Sequence, residues 1–201
     1  MDEKYYDAML NVLTREDRVI NPFFQYYPYE PTPYAVLKQL SDTYPLTPED
    51  RLVDFGCGKG RTLFYLNYMF GCNVCGIEMN EKLYKDAENN RKRYIKRHPH
   101  AAEKIEILPI LAEKYEVDQK DNKFYFFHPF SVTVFKKVIT NIMQSLEHHP
   151  RQADIIVYYP TEEYLCYLDH KTDFRLNSGM LIHGAYEKNK QEQILIYRYD
   201  G

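Results

Sequence analysis

The stretch Leu52–Gly60, LVDFGCGKG, decides the fold of this chain. A short apolar run containing one acid, Asp54, leads into a turn with three glycines, and a helical pattern follows over residues 61–70. Glycine has no Cβ, so the backbone of such a turn can pass close to a ligand. The first N–H groups of the helix also point at whatever lies there. The pattern therefore predicts a strand, a ligand-binding turn and a helix.

The spacing of the glycines indicates the kind of ligand. Gly56, Gly58 and Gly60 follow G-x-G-x-G, whereas the dinucleotide fingerprint is G-x-G-x-x-G. Asp54 precedes the first glycine by two residues, where its carboxylate would repel a pyrophosphate but would suit an ammonium group. A nicotinamide-dependent oxidoreductase remains an alternative that this spacing disfavours. A glycine-rich turn that binds no cofactor is a second alternative.

Residues 54–60 read acid-x-G-x-G-x-G, and this run resembles the first motif of the class I S-adenosylmethionine-dependent methyltransferases. The resemblance implies that the chain is an enzyme of that class and that its cofactor is S-adenosylmethionine. The methionyl part would lie against the glycine turn, and Asp54 would orient its ammonium. The implied cofactor residues in this run are Asp54, Gly56, Cys57, Gly58 and Gly60.

A second acid stands at the end of the next apolar run, Val74–Glu78. One strand, one helix and one more strand fit between Asp54 and Glu78. An acid at the tip of the second strand of such a unit can accept hydrogen bonds from both ribose hydroxyls. We therefore predict that Glu78, with its neighbour Met79, binds the cofactor. The alternative is a surface glutamate preceding a helix capped by Asn80.

The order of elements predicts the fold class. Apolar runs at 51–55, 73–78, 104–109, 123–127, 154–159, 174–182 and 193–199 read as strands, and 4–18, 34–44, 61–70, 80–97 and 131–146 read as helices. Thr32 and Pro33 would open the helix that begins at residue 34. Strand–helix alternation predicts a mainly parallel, Rossmann-like α/β sheet, with the last two strands as an antiparallel hairpin. The resemblance implies seven strands.

The loop after the fourth predicted strand, Phe126–Phe130, falls where many class I methyltransferases carry Asn/Asp-Pro-Pro-aromatic or Asn-Pro-Phe. The resemblance implies that His128, Pro129 and Phe130 border the transferred methyl group and are the catalytic candidates. His128 departs from the family pattern. A neutral imidazole can accept one hydrogen bond or act as a general base near pH 7. The alternative is a turn histidine without a catalytic role.

The segment Tyr26–Tyr34 is rich in Tyr and Pro and precedes the first strand. It could fold over the crevice as a lid, with Tyr27 and Tyr29 giving cation–π contacts to a methyl sulfonium or an ammonium. Over residues 26–160 the chain is similar to small bacterial methyltransferases that are distantly similar to the non-SET histone lysine methyltransferases. The alternative is a structural wrap that packs tyrosines on the domain surface.

Composition limits the remaining choices. The chain has 201 residues, 44% hydrophobic and 27% charged, with a formal net charge of −3. These values are typical of one globular domain over 1–201, with an N-terminal lid and helices in 1–48 and a cofactor-binding core in 49–201. We expect a cytoplasmic protein with no secretory signal and no membrane span. The net charge gives no general attraction to nucleic acid.

Three further sequence features are weaker indications of a site. Cys72 and Cys75 have C-x-x-C spacing, but no second pair follows, so we expect no metal site. The basic stretch 91–97 could contact phosphate, although a solvated helix face is the more usual role. After the third strand no acid precedes Ala112, which leaves backbone groups or Glu113 to hold adenine.

The acceptor is unknown, with a nitrogen or oxygen of a protein or small molecule favoured. An RNA methyltransferase and a non-catalytic cofactor-binding protein remain alternatives, and the oligomeric state is not predicted.

Overall fold

The computed structural model describes residues 3–15 and 24–201. In chain order its helices and strands are α1 (Glu3–Leu10), α2 (Tyr34–Thr43), β1 (Arg51–Phe55), α3 (Arg61–Phe70), β2 (Asn73–Ile77), α4 (Glu81–Arg97), β3 (Ile105–Leu108), β4 (Lys123–Phe127), α5 (Val132–His148), β5 (Ala153–Tyr158), α6 (Glu162–Lys171), β6 (Arg175–Leu181) and β7 (Gln193–Tyr199). None of the helices in these ranges combines the length and the apolar character that a membrane span requires.

The strands form one seven-stranded sheet in the order β3-β2-β1-β4-β5-β7-β6. The first five strands are parallel, whereas β7 runs antiparallel to both β5 and β6. The predicted α/β fold with a C-terminal antiparallel hairpin is therefore confirmed. The strand order reverses between β1 and β4, and open α/β sheets bind ligands outside the carboxyl ends of the strands at such a point.

Successive residues of the central strands face opposite sides of the sheet, and both sides are buried. Leu52 of β1 packs with residues of α1 to α4, while Val53 and Phe55 pack with residues of α5 and α6. A strand that is covered on both faces needs a continuous apolar run. In β1 the buried exception is Asp54, which lies near the carboxyl end of the strand.

The N-terminal region differs from the prediction of a helix over 4–18. The first helix ends at Leu10, where Asn11 takes a left-handed conformation with φ 57°. The rest of the predicted span is a turn followed by irregular structure as far as residue 15, and 16–18 lie outside the described residues. The irregular segment predicted over 20–33 is confirmed from residue 24 onward.

Two helix starts also differ from the expectations. Thr32 does not cap α2, because its hydroxyl is bonded to that of Tyr125 at 3.0 Å. Glu3 instead accepts a hydrogen bond from the first helical amide, that of Tyr34, at 3.1 Å. Helix α6 was not predicted, and Thr161 caps it by accepting from the amide of Tyr164.

Candidate active site

A cavity of about 590 Å³ lies at the carboxyl ends of β1, β2, β4 and β5. Its volume falls within the roughly 300–1,000 Å³ of small-molecule sites. It is lined by most of the residues that the sequence singled out, namely Tyr27, Tyr29, Asp54, Gly56, Cys57, Glu78, Met79, His128 and Pro129. Gly58, Gly60 and Phe130 are not among the lining residues.

The glycine turn is constrained by protein neighbours as well as by a ligand. All three glycines have positive φ. A Cβ on Gly56 would lie 2.6 Å from that of Pro129, and one on Gly58 would lie 2.1 Å from the Tyr29 ring. Only Gly56 faces the cavity. The close approach at Gly58 is therefore made by Tyr29 of the Tyr/Pro segment, a contact that the sequence did not reveal.

Glu78 lies directly after β2 and is 5% exposed. One carboxylate oxygen accepts from the amide of Gly58 at 2.9 Å, and the other accepts from the amide of Asn80 at 2.7 Å. Each oxygen keeps a further lone pair for a ribose hydroxyl. Asn80 also caps α4 as predicted, and Glu78 is buried rather than a surface glutamate.

Asp54 and Glu78 carry perturbed pKa values. Burial, and next the charge of Glu78, raises the pKa of Asp54 to about 8, against the opposing hydrogen bond from Thr62. Burial raises the pKa of Glu78 to about 7, although its two backbone hydrogen bonds act in the other direction. Among the described residues no basic side chain forms an ion pair with either carboxylate. A cavity wall of this kind fits the cationic, ammonium-bearing cofactor that the sequence predicted.

His128 lies at the end of β4, half-buried and with φ 36°. Its ring centroid is 4.6 Å from that of Tyr27 and 6.4 Å from that of Tyr159, which follows β5 with φ 57°. Positive φ at non-glycine residues stores strain and is concentrated at functional sites. Burial lowers the pKa of His128, with the charge of Glu163 opposing it. The imidazole is therefore neutral near pH 7.

Phe130 is placed differently from the expectation that it borders the methyl group. It is fully buried and packs its ring against those of Tyr26 and Phe126. Phe130 is buried because the backbone of Tyr26 pairs with it as an isolated antiparallel β-bridge and covers it. Phe130 therefore anchors the loop in the core, while His128 and Pro129 face the cavity.

The Tyr/Pro segment lies along the same loop. The amide of Tyr27 donates to the carbonyl of Pro129 at 3.0 Å. The hydroxyl of Tyr26 donates to Glu113 at 2.5 Å, and the hydroxyl of Tyr29 donates to the carbonyl of Thr14 at 2.8 Å. The segment is thus packed on neighbouring residues and also forms a wall of the cavity.

Arg61, the first residue of α3, fastens the N-terminal segment to the glycine turn. It is 4% exposed and forms an ion pair with Glu3. It also donates to the hydroxyl of Thr14 at 2.7 Å and to the carbonyl of Thr32 at 3.2 Å. Its guanidinium lies 4.4 Å from the ring centroid of Tyr34. This structural role is not evident from the sequence.

Sequence reasoning missed part of the cavity wall, namely Glu30, Tyr125, Tyr158, Tyr159 and Glu192. Tyr158 and Tyr159 end and follow β5 at the ligand-binding edge, which is a usable signal. Glu192 precedes β7 and has no local signature. Glu113, the alternative adenine contact, is instead the acceptor for Tyr26, whereas Ala112 lines the cavity.

Comparison with known proteins identifies the family. The sequence profile of a family described as "Methyltransferase domain" matches residues 33–157, which span β1 to β5 and the cavity residues between them. The chain belongs to this methyltransferase family. The predicted enzyme class and its S-adenosylmethionine cofactor are confirmed at this level.

Other similarities of this methyltransferase are weaker. It is 38% identical over 52 residues to a Dictyostelium discoideum histone-lysine N-methyltransferase specific for H3 lysine 79, a match that covers 26% of this chain and 3% of that protein. An RNA methyltransferase from Salinibacter ruber, solved with S-adenosyl-L-homocysteine, has a TM-score of 0.57 at 16% identity, covering 85% of this chain and 92% of that one. A geranyl diphosphate methyltransferase solved with sinefungin has a TM-score of 0.58 at 13% identity, covering 83% and 77%. At these identities the structural matches show the fold alone.

Proposed function

We propose that this methyltransferase binds S-adenosylmethionine between Asp54 and Glu78 and methylates an acceptor that enters beside His128 and Pro129. One observation carries the proposal. Two buried carboxylates, each without an ion-pair partner among the described residues, lie at the ends of neighbouring strands around Gly56. Such groups stabilise a bound cation because removal from water has raised the energy of their charged forms.

The residues of the chain divide the work of binding. When bound, the cofactor supplies an electrophilic methyl group on its sulfonium. Asp54 orients the ammonium, Glu78 accepts from the ribose hydroxyls, and Gly56 lets the backbone approach the methionyl part. Cys57 and Met79 contribute further wall surface. Gly58 and Gly60 act indirectly, by allowing Tyr29 and Phe64 to pack against the turn.

On the acceptor side, alignment is the main contribution to catalysis. Holding a nucleophile in line with the methyl group can supply about 7–11 kcal/mol of the barrier. Pro129 fixes the loop against Gly56, and His128 presents a neutral imidazole that can accept a proton from the acceptor. We include in the proposal a single domain, with residues 1–48 as lid and helices and 49–201 as core, and a cytoplasmic location, which the composition supports.

Two other functions are alternatives to this proposal. A non-catalytic cofactor-binding protein is motivated by His128, which stands where the family pattern has Asn or Asp. An RNA substrate, as in the name of the Salinibacter ruber protein, is disfavoured by the acidic cavity wall. In the basic stretch of α4, the side chains of Arg91 and Arg97 donate to backbone carbonyls of this chain.

Isothermal titration with S-adenosylmethionine tests the proposed cofactor. We expect a dissociation constant in the micromolar range or below, and no heat at high micromolar ligand would overturn the assignment. Incubation with the tritiated cofactor and size-fractionated lysate then tests transfer. Label on a defined fraction supports an enzyme, whereas cofactor binding without any transfer supports the non-catalytic alternative.

A further inference from the structure

The cavity wall carries acids that the cofactor does not account for. Beyond Asp54 and Glu78, it includes Glu30, which is part of the lid segment, and Glu192, which directly precedes β7. They lie in the same cavity as His128. The inference that follows concerns the acceptor and rests on the proposed function.

The carboxylate of Glu192 is held in place by a buried tyrosine. The hydroxyl of Tyr158, 2% exposed, donates to it at 2.6 Å, and the backbone carbonyl of Glu192 accepts from the amide of Ile182 at 2.9 Å. The pKa of Tyr158 is raised by burial and by Glu192, with a smaller contribution from the charge of Glu30. Both acids therefore act on the same region of the cavity.

Aromatic rings form a continuous wall beside these acids. The ring centroids of Tyr27 and His128 are 4.6 Å apart, those of His128 and Tyr159 are 6.4 Å apart, and those of Tyr159 and Tyr158 are 6.2 Å apart. Tyrosine faces attract ammonium groups through their quadrupoles. The rings and the carboxylates thus favour the same sign of charge.

Positive charge on the described part of the cavity wall is already neutralised by the protein. Among the described lining residues, Arg61 is the one Lys or Arg, and its guanidinium is paired with Glu3 and bonded to Thr14. An acceptor bearing a carboxylate or phosphate would meet the acids without a cation to pair with. We propose that the acceptor is an amine that enters as its ammonium cation and is held by Glu192 and the tyrosine wall.

The transfer then requires one proton to leave before the bond forms. The ammonium gives a proton to the neutral imidazole of His128, which becomes imidazolium. The lone pair of the free amine forms the new N–C bond as the C–S bond breaks, and the bonding electron pair stays on sulfur. Sulfur becomes a neutral thioether, and the product nitrogen carries the positive charge. The proton on His128 is lost to solvent after transfer.

The chemistry of the labelled product tests the proposal. Protein and small-molecule fractions of a lysate are incubated separately with tritiated cofactor, together with poly-L-lysine and cadaverine as side-chain and free-amine probes. We expect label that survives alkali and binds a cation exchanger. The arm that acquires it distinguishes a side-chain amine from a small molecule. Alkali-labile methyl ester, a neutral methyl ether, or no label on any amine in an enzyme that binds the cofactor would overturn the amine assignment.

Glu192→Gln tests the specificity role, because the amide oxygen can still accept from Tyr158 while the charge is removed. Loss of a charge-assisted contact predicts about a tenfold or greater rise in the KM for the labelled amine, with an unchanged dissociation constant for the cofactor. Glu187→Gln, an exposed acid in the same loop, is the matched control. Direct titration of the amine into enzyme saturated with S-adenosylhomocysteine gives a readout that is independent of turnover. An equal KM and an equal amine affinity in the two variants would contradict the proposal. Absent cofactor binding in the unmodified protein would instead contradict the proposed function.

Discussion

The amide of Gly58 donates a 2.9 Å hydrogen bond to the carboxylate of Glu78. This bond joins the turn after β1 to the end of β2. The predicted ribose ligand therefore also holds the glycine turn. A substitution at Glu78 should affect the turn and the ligand together.

Glu78→Gln is expected to weaken S-adenosylmethionine binding by about tenfold or more. The neutral amide keeps an acceptor oxygen but loses the charge-assisted hydrogen bonds, each worth about 1.5–3 kcal/mol. Isothermal titration measures the change. Glu81→Gln is the control, because Glu81 is exposed and pairs with exposed Lys85. An affinity that is unchanged in Glu78→Gln would remove Glu78 from the cofactor site.

Cofactor affinity should rise with pH between about 6 and 8.5. Burial raises the pKa of Asp54 to about 8, so much of this carboxyl group is protonated at neutral pH in the free protein. A bound ammonium selects the ionised form, and binding then releases a proton, which becomes easier as pH rises. Asp54→Asn should weaken binding at pH 8.5 and flatten the pH dependence. A wild-type profile as flat as that of the variant would contradict this.

The stability of the cofactor-free protein should depend on the same group with the opposite sign. Between the unfolded pKa of Asp, about 4, and the folded value of about 8, the native state binds more protons than the unfolded state. Its contribution to stability is therefore lost as pH rises through that window. Chemical unfolding at pH 5 and pH 8 should show that Asp54→Asn becomes more stable relative to wild type at the higher pH. A difference between the two proteins that does not vary with pH would rule out a raised pKa.

Gly58→Ala should destabilise the protein and loosen the lid. The new Cβ would meet the Tyr29 ring, and alanine is strained at φ 55°. Gly184→Ala is the matched control, since Gly184 also has positive φ but no atom lies within 4 Å of its Cβ position. Backbone strain alone costs on the order of 1 kcal/mol, so unfolding free energies should fall further in Gly58→Ala. If the Tyr29 ring causes the additional loss, the double variant Gly58→Ala, Tyr29→Leu should recover part of the unfolding free energy.

His128→Ala is expected to lower kcat by roughly a hundredfold, the lower end of general-base catalysis, with cofactor affinity retained. Because burial lowers the pKa of His128, the acid limb of the kcat profile should lie below the usual value near 6.5. Activity should therefore fall only as pH drops below this range. His148→Ala, an exposed histidine at the end of α5, serves as the control. Equal kcat in both variants would leave His128 as a turn residue.

Much of the fold follows from local sequence patterns. The bounds of β1, α3, β4 and β7 match the predicted spans because each is a compact apolar run between polar or glycine residues. The ends of α1 and the existence of α6 do not follow. Half of the residues in Glu162–Lys171 are polar, and the burial of this helix depends on Tyr164 and Leu168 meeting distant partners.

Site residues could be predicted where an acidic side chain stands at or near the end of an apolar strand. Asp54 and Glu78 belong to that group, and the structure places both in one cavity. Glu192 does not, because β7 reaches the cavity only through antiparallel pairing with β5. The packing of Tyr29 on Gly58 is likewise a contact between remote segments, and no local periodicity encodes it.

The ion pair of partly exposed Glu3 with buried Arg61 has a consequence for synthesis of the chain. Helix α1 has eight residues, too few to be stable alone in water. Its partners, Tyr34 and Arg61, emerge from the ribosome later, and β1 must form before α3 can present its first residue. Helix α1 therefore gains these contacts only after the glycine turn and the first residue of α3 have been synthesised.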